Sequence, residues 1–231
     1  MKSRTRKGKI IFVTGTDTGV GKTVFSGLLV HHLRKNGRHA LAMKPFCSGG
    51  RGDVRLLRGM QDGELSEEEI NPFYFPEPVA PLVSARQRKR RISLGEVVLA
   101  IKKMAARCEV LVVEGSGGLL VPLGENFQVS DVIERLDCEV VVVGRNQLGT
   151  INHTLLTVNE LKRFCSRNIA VVLMGTSKKD VSVRTNRKIL GEVLWPVRVH
   201  EMEFLCKNAN KIDVLKKSHK KVKKTLARMY R

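Results

Sequence analysis

Lys9-Ile10-Ile11-Phe12-Val13-Thr14-Gly15-Thr16-Asp17-Thr18-Gly19-Val20-Gly21-Lys22-Thr23 decides the fold. An apolar run of strand length ends in a glycine-rich turn, and the turn opens a helical pattern over Lys22 to Lys35. This is the order of a phosphate cradle. Glycines let successive backbone N–H groups converge on anionic oxygens, and the helix beginning at Lys22 adds the positive end of its dipole. Lys22 supplies a mobile cation for the terminal phosphates, and the Thr23 hydroxyl is suited to Mg2+. Gly19, Val20, Gly21, Lys22, Thr23 and Val24 are therefore the expected nucleotide contacts. The strict G-x-x-x-x-G-K-[ST] spacing would place its first glycine at position 16, where this chain has Thr16.

Outward from this stretch, apolar runs of strand type recur at Ala40 to Lys44, Val110 to Glu114, Glu139 to Val143 and Ile169 to Met174. Between them, helical patterns fall at Leu94 to Ala106, Ser130 to Leu136 and Ile151 to Phe164. The alternation predicts an α/β fold, a doubly wound and mostly parallel sheet flanked by helices. Ser93-Leu94-Gly95-Glu96 has the form of a capping box, and the Val140 to Val143 run fits a strand buried on both faces. Pro72, Pro76, Pro78 and Pro81 restrict the segment from Asn71 to Pro81 to loop or a short extended piece.

The 231 residues, 42% of them hydrophobic, suffice for one domain with a full core, expected over 1–206. A cytoplasmic protein is expected, because no apolar stretch reaches membrane-spanning length and the charged amino terminus is not followed by a signal-type segment. The five cysteines are scattered, without C-x-x-C pairs, which argues against both a disulfide framework and a zinc site. The net charge of +20 concentrates near the amino terminus (Lys2 to Lys9), in Arg86 to Arg91 and in a tail over 207–231. Such runs can hold nucleic acid by phosphate contacts, but they carry little interleaved aromatic character and no recognition motif, so a solvated basic surface is favoured and nucleic acid is disfavoured as a partner. The tail's periodicity is weak. A chain ending near Cys206 is therefore expected to keep its activity.

In open parallel sheets ligands gather at the carboxyl ends of the strands. Those ends carry, in turn, the glycine-rich turn, Lys44 to Gly49 with Asp53 beyond, Glu114 to Gly118, and Leu148 to His153. A lysine at the end of a buried strand is costly unless it meets an anion, so Lys44 points to a substrate or phosphoryl contact. Asp53 and Glu114 come from separate strand ends and can join Thr23 around Mg2+.

The chain resembles the ATP-dependent dethiobiotin synthetase family, within the P-loop NTPases, through five segments in family order. These are G-T-D-T-G-V-G-K-T at 15–23, K-P-F-C-S-G at 44–49, N-P-F-Y-F at 71–75 followed by A-P-L-V-S-A at 80–85, E-G-S-G-G-L at 114–119 and L-G-T-I-N-H at 148–153. The resemblance implies a homodimer using ATP and Mg2+, with 7,8-diaminononanoate and CO2 as substrates. The diamine takes up CO2 as a carbamate, the carbamate oxygen attacks the γ-phosphate, and the second amine displaces phosphate to close a ureido ring. It also implies roles for individual residues. Lys44, Lys22 and Thr18 would act on the reacting groups, Ser48 would help hold the carbamate, and Gly117, Thr150, Ile151 and Asn152 would receive the substrate carboxylate. Thr23, Asp53 and Glu114 would hold the metal, and Gly175 and Thr176 would line the nucleotide site.

Two departures stand out: Leu82 occupies a usual family His, and Gly175 falls where the family's adenine-reading Asn would be. Without that amide, ATP shares the site with other nucleoside triphosphates. A partition-type ATPase would share the fold but carries a lysine at the place of Asp17 and has no use for K-P-x-x-S-G. A non-catalytic homologue is the third reading, opposed by the intact phosphate, metal and carbamate residues.

Overall fold

The computed structural model describes residues 8–165, 167–177, 180–206 and 208–230; the cations from Lys2 to Lys7 lie outside the described residues. In chain order the elements are β1 (Lys9–Gly15), α1 (Lys22–Lys35), β2 (Ala40–Met43), β3 (Phe46–Ser48), α2 (Gly52–Met60), α3 (Glu67–Ile70), β4 (Phe73–Phe75), α4 (Pro81–Gln87), α5 (Leu94–Ala105) and β5 (Val110–Glu114). They continue with β6 (Pro122–Gly124), β7 (Phe127–Gln128), α6 (Val129–Leu136), β8 (Glu139–Arg145), α7 (Thr150–Lys162), β9 (Ile169–Met174), α8 (Val183–Val193), β10 (Arg198–Met202) and α9 (Ile212–Met229).

The central sheet runs β10-β9-β8-β1-β5-β2, parallel throughout, with Val13 of β1 level with Glu114 of β5 on one side and Val141 of β8 on the other. Its middle strands β1, β5 and β8 are buried almost end to end, which is why they read as continuous Ile and Val runs instead of alternating ones. Right-handed crossovers place α1 on one face and α5, α6 and α7 on the other, because the chain moves toward the β2 edge in the first case and away from it in the second. All the parallel strands then present their carboxyl ends on one side. The capping box forms as expected, the Ser93 hydroxyl accepting from the Glu96 amide at 3.2 Å and Glu96 accepting from the Ser93 amide at 2.7 Å. The Asn71 to Pro81 segment holds only the short strand β4, and Pro81 opens α4, where its missing N–H has no cost.

The basic tail is not a solvated appendage. α9 lies along α1 and α2, and Leu215, Val222 and Leu226 belong to the same core as the sheet residues. Small residues permit the approach: a Cβ at Gly59 would come within 2.3 Å of Ile212 Cδ1, and one at Gly27 within 3.3 Å of Leu215 Cδ2. Three histidines lock the seam. His32 Nδ1 and His219 Nε2 share a hydrogen bond of 2.9 Å, and the His31 ring meets His219 edge-on at 5.3 Å. No described helix is long and apolar enough to cross a membrane.

Candidate active site

The turn between β1 and α1 is held in a conformation that needs glycine. Gly19 and Gly21 have φ of 70° and 105°, and a side chain at Gly21 would press on Met174 Cγ at 3.2 Å. Val20 is buried, while Thr18 and Asp17 face solvent. The Lys22 ammonium bonds back to the Asp17 carbonyl at 2.8 Å, closing the turn on itself. Burial lowers the pKa of Lys22 to about 8, with Glu114 opposing the fall and Lys44 adding to it.

Around the first turn of α1 the structure assembles the expected acidic set. Thr23 Oγ1 donates to Glu114 Oε1 at 2.7 Å, and the Lys44 ammonium bridges Glu114 Oε1 at 2.8 Å and Asp53 Oδ2. Burial would lower the pKa of Lys44, but Glu114 and Asp53 more than reverse this and raise it above the ordinary range. Glu114 is fully buried and its second oxygen, Oε2, has no hydrogen-bond partner among the described residues. A buried carboxylate oxygen left open costs free energy unless a cation reaches it. With a threonine hydroxyl and a second carboxylate beside it, this donor set fits Mg2+.

Neighbouring segments brace Lys44. Its amide donates to the Ile70 carbonyl at 2.9 Å, the Asn71 side-chain amide donates to the carbonyls of Lys44 and Pro45, and the Ser116 hydroxyl donates to the Phe46 carbonyl at 2.7 Å. The N-P-F and E-G-S segments thus fix the lysine strand from two sides. Ser48 ends β3 with its hydroxyl enclosed and without a hydrogen-bond partner among the described residues. Gly117 has φ of 64°, and a Cβ there would lie 3.5 Å from Thr18 Oγ1, so the third strand end touches the phosphate turn. Leu82 is half-buried on α4.

At the fourth strand end, Gly149 caps α7 with φ of 89°. Thr150 is buried, and its amide is taken by the Gln147 carbonyl at 3.2 Å. Ile151 is half-buried and Asn152 exposed, and among the described residues their amides have no backbone acceptor. Of this trio, then, Ile151 and Asn152 offer free donors for an anion and Thr150 does not. The helix start is tied to the phosphate turn through Gly144, where a Cβ would lie 3.4 Å from both Thr16 Cγ2 and Thr150 Oγ1.

Gly175 and Thr176 follow β9 and border a cavity of about 420 Å3 that also touches Gly19, Val24 and Glu203. The space of the missing side chain is filled by backbone: a Cβ on Gly175 would fall 2.5 Å from the Phe204 amide, and the Gly175 amide donates to the Met202 carbonyl at 2.7 Å. One contributor is absent from the sequence argument. Arg145, the last residue of β8, donates from Nη2 and Nε to the Gly19 carbonyl at 2.8 and 3.2 Å and so pins the phosphate turn from the opposite side. Its only signal in the sequence is a charged residue at the end of a buried strand.

A family model described as AAA domain matches residues 9–215. The chain is 43% identical over 176 residues to the ATP-dependent dethiobiotin synthetase BioD of Bacillus licheniformis, covering 74% of this chain and 75% of that one. It is 40% identical over 185 residues to BioD of Bacillus subtilis (strain 168), covering 78% and 80%, and 42% identical over 154 residues to BioD of Methanococcus vannielii, covering 67% and 73%. Among solved structures it is similar to a ParA family ATPase from Chlorobium tepidum (TM-score 0.57, 15% identity, 93% of this chain and 92% of that chain). It is also similar to a chain of the MinC:MinD cell division complex of Aquifex aeolicus (TM-score 0.61, 13% identity, 96% of each). At such identities these last two share the P-loop fold alone. The sequence relatives reach further, at 40 to 43% identity over two thirds or more of this chain, and the chain belongs to the ATP-dependent dethiobiotin synthetase family.

Proposed function

We propose that this protein forms dethiobiotin from 7,8-diaminononanoate, CO2 and ATP at the strand ends, with the work divided among the residues described above. The observation that carries this is the buried Lys44, placed between Asp53 and Glu114 beside the phosphate turn. A plain nucleotide hydrolase has no need of a second buried cation there. Thr18, Ser48 and Lys44 hold the carbamate formed when one amine of the diamine adds to CO2 and loses a proton. The carbamate oxygen then attacks the γ-phosphorus of ATP and ADP leaves; Lys22 and Lys44 stabilise the charge that gathers on the transferred group. The second amine attacks the carbamoyl carbon, phosphate departs and the ring closes. Thr23, Asp53 and Glu114 would hold Mg2+, which when bound neutralises charge on the nucleotide's phosphate oxygens.

The free amides of Ile151 and Asn152 at the start of α7, with Gly117, receive the substrate carboxylate. A homodimer, in which each site is completed by the other subunit, and a cytoplasmic location complete the reading. The test is turnover with the diamine, bicarbonate and Mg-ATP, reading dethiobiotin. Lys44→Ala should lower kcat by at least about a hundredfold, the scale of one preorganised cation or donor, without changing the circular dichroism spectrum. A folded variant with near-wild-type kcat would remove Lys44 from the chemistry.

A further inference from the structure

The two faces of α9 carry different chemistry. Leu215, Ser218, His219, Val222 and Leu226 turn into the core, while Lys217, Lys220, Lys221, Lys223, Lys224 and Arg228 stand in solvent. Among the described residues none of these six forms an ion pair; the helix's one ion pair, from Lys216 to Asp62, lies at the seam with the body of the protein. At 3.6 residues per turn, Lys217, Lys221, Lys224 and Arg228 fall in one row, about 16 Å long at 1.5 Å per residue. Like charges three and four residues apart destabilise a helix. A row of them persists here because the inner face is anchored, and an external polyanion would relieve the repulsion.

The chemistry of the row selects the polyanion. Every apolar side chain of α9 that could enter a lipid surface is turned inward or half-buried, so a membrane would be met by charge alone. The outer row bears no aromatic side chain on which an unpaired base could stack. What remains is a straight cationic rod suited to regularly spaced phosphates. Contact with a duplex backbone requires neither interleaved aromatic residues nor a recognition motif. We propose that the outer face of α9 binds duplex nucleic acid through its phosphates, without sequence preference and apart from the nucleotide site.

The experiment is fluorescence anisotropy of a labelled duplex of about 20 base pairs with the full chain, across a salt series. Each phosphate contact contributes about 0.9 to the slope of log K against log salt. The variant Lys217→Gln/Lys221→Gln/Lys224→Gln/Arg228→Gln should therefore flatten the slope by about three to four and weaken binding at least tenfold at moderate salt, while dethiobiotin formation is unchanged. A control with the same loss of charge on the other side of the sheet, Lys102→Gln/Lys103→Gln/Arg135→Gln/Lys162→Gln, should stay within about twofold of wild type. Equal weakening in both variants would show that net charge alone is responsible and overturn the proposal. Binding to vesicles rich in anionic lipid without binding to the duplex would overturn it as well.

Discussion

Lys22 and Lys44 are both buried and both feel the charges of Asp53 and Glu114, yet their titrations move in opposite directions. Lys44 touches two carboxylates and is held protonated; among the described residues Lys22 bonds only to a carbonyl, and burial brings it to about 8. Its charged form is the one that meets phosphate, and the free protein loses that form as pH rises. The expected outcome is a kcat/KM for ATP that falls as pH climbs through about 8, while the more basic Lys44 adds no second limb in that range. A flat profile to pH 9.5 or beyond, about one and a half units higher, would place the phosphate-binding charge elsewhere. At Gly175 the structure sharpens the sequence argument, because the Phe204 backbone occupies the place of a side chain. No side-chain amide can read the base from there. Efficiencies with CTP, GTP and UTP should lie within about tenfold of ATP, one contact being worth about 1 to 2 kcal/mol. A preference for ATP beyond about a hundredfold in competition assays would reveal another adenine reader. The residues of the lysine strand and the acidic set were legible because each sits in a short segment tied to one strand end. Arg145 was not, since its bonds to Gly19 join positions 126 residues apart and leave no local pattern.

Helices and strands were legible where one physical signal dominated. α1, β5 and β9 begin and end where the sequence places them, and α5 closes one residue early. β10 escaped because it is an edge strand of mixed composition, Arg-Val-His-Glu-Met, with only one buried residue. α9 escaped because lysines fill the positions between its few apolar anchors, so the pattern reads as charge. The structure reverses the expectation for a chain ending near Cys206. Such a cut removes Leu215, Val222 and Leu226 from the core and bares the flank of α1 around Gly27, His31 and His32. It should yield little folded protein. Leu226→Ala in the full chain should cost about 2 to 5 kcal/mol, the range for a fully enclosed leucine, measured by urea denaturation. A loss under about 0.5 kcal/mol would show that α9 rides on the surface.

The molecule as a whole should weaken in mild acid, and the histidine seam is the reason. His31, His32 and His219 are packed among Lys35, Lys216 and Lys223, with Asp62 as the nearby carboxylate and Asn36 bonding His32. Burial lowers all three pKa values, that of His219 to about 4, with neighbouring cations adding to the effect. The unfolded chain therefore takes up protons on these histidines from about pH 6.5 downward, while in the folded chain His219 resists until about 4. Unfolding free energy should be level near pH 7 and decline between about 6.5 and 4, and His219→Gln should flatten that decline; an unchanged acid limb would clear the seam of responsibility. The same seam joins residues 187 positions apart. On the ribosome, α1 is made long before the helix that covers it, and its apolar flank waits uncovered through the synthesis of nearly every strand of the sheet. A stall anywhere before α9 leaves a nascent chain that displays this flank of α1 without its partner, a natural client for a chaperone.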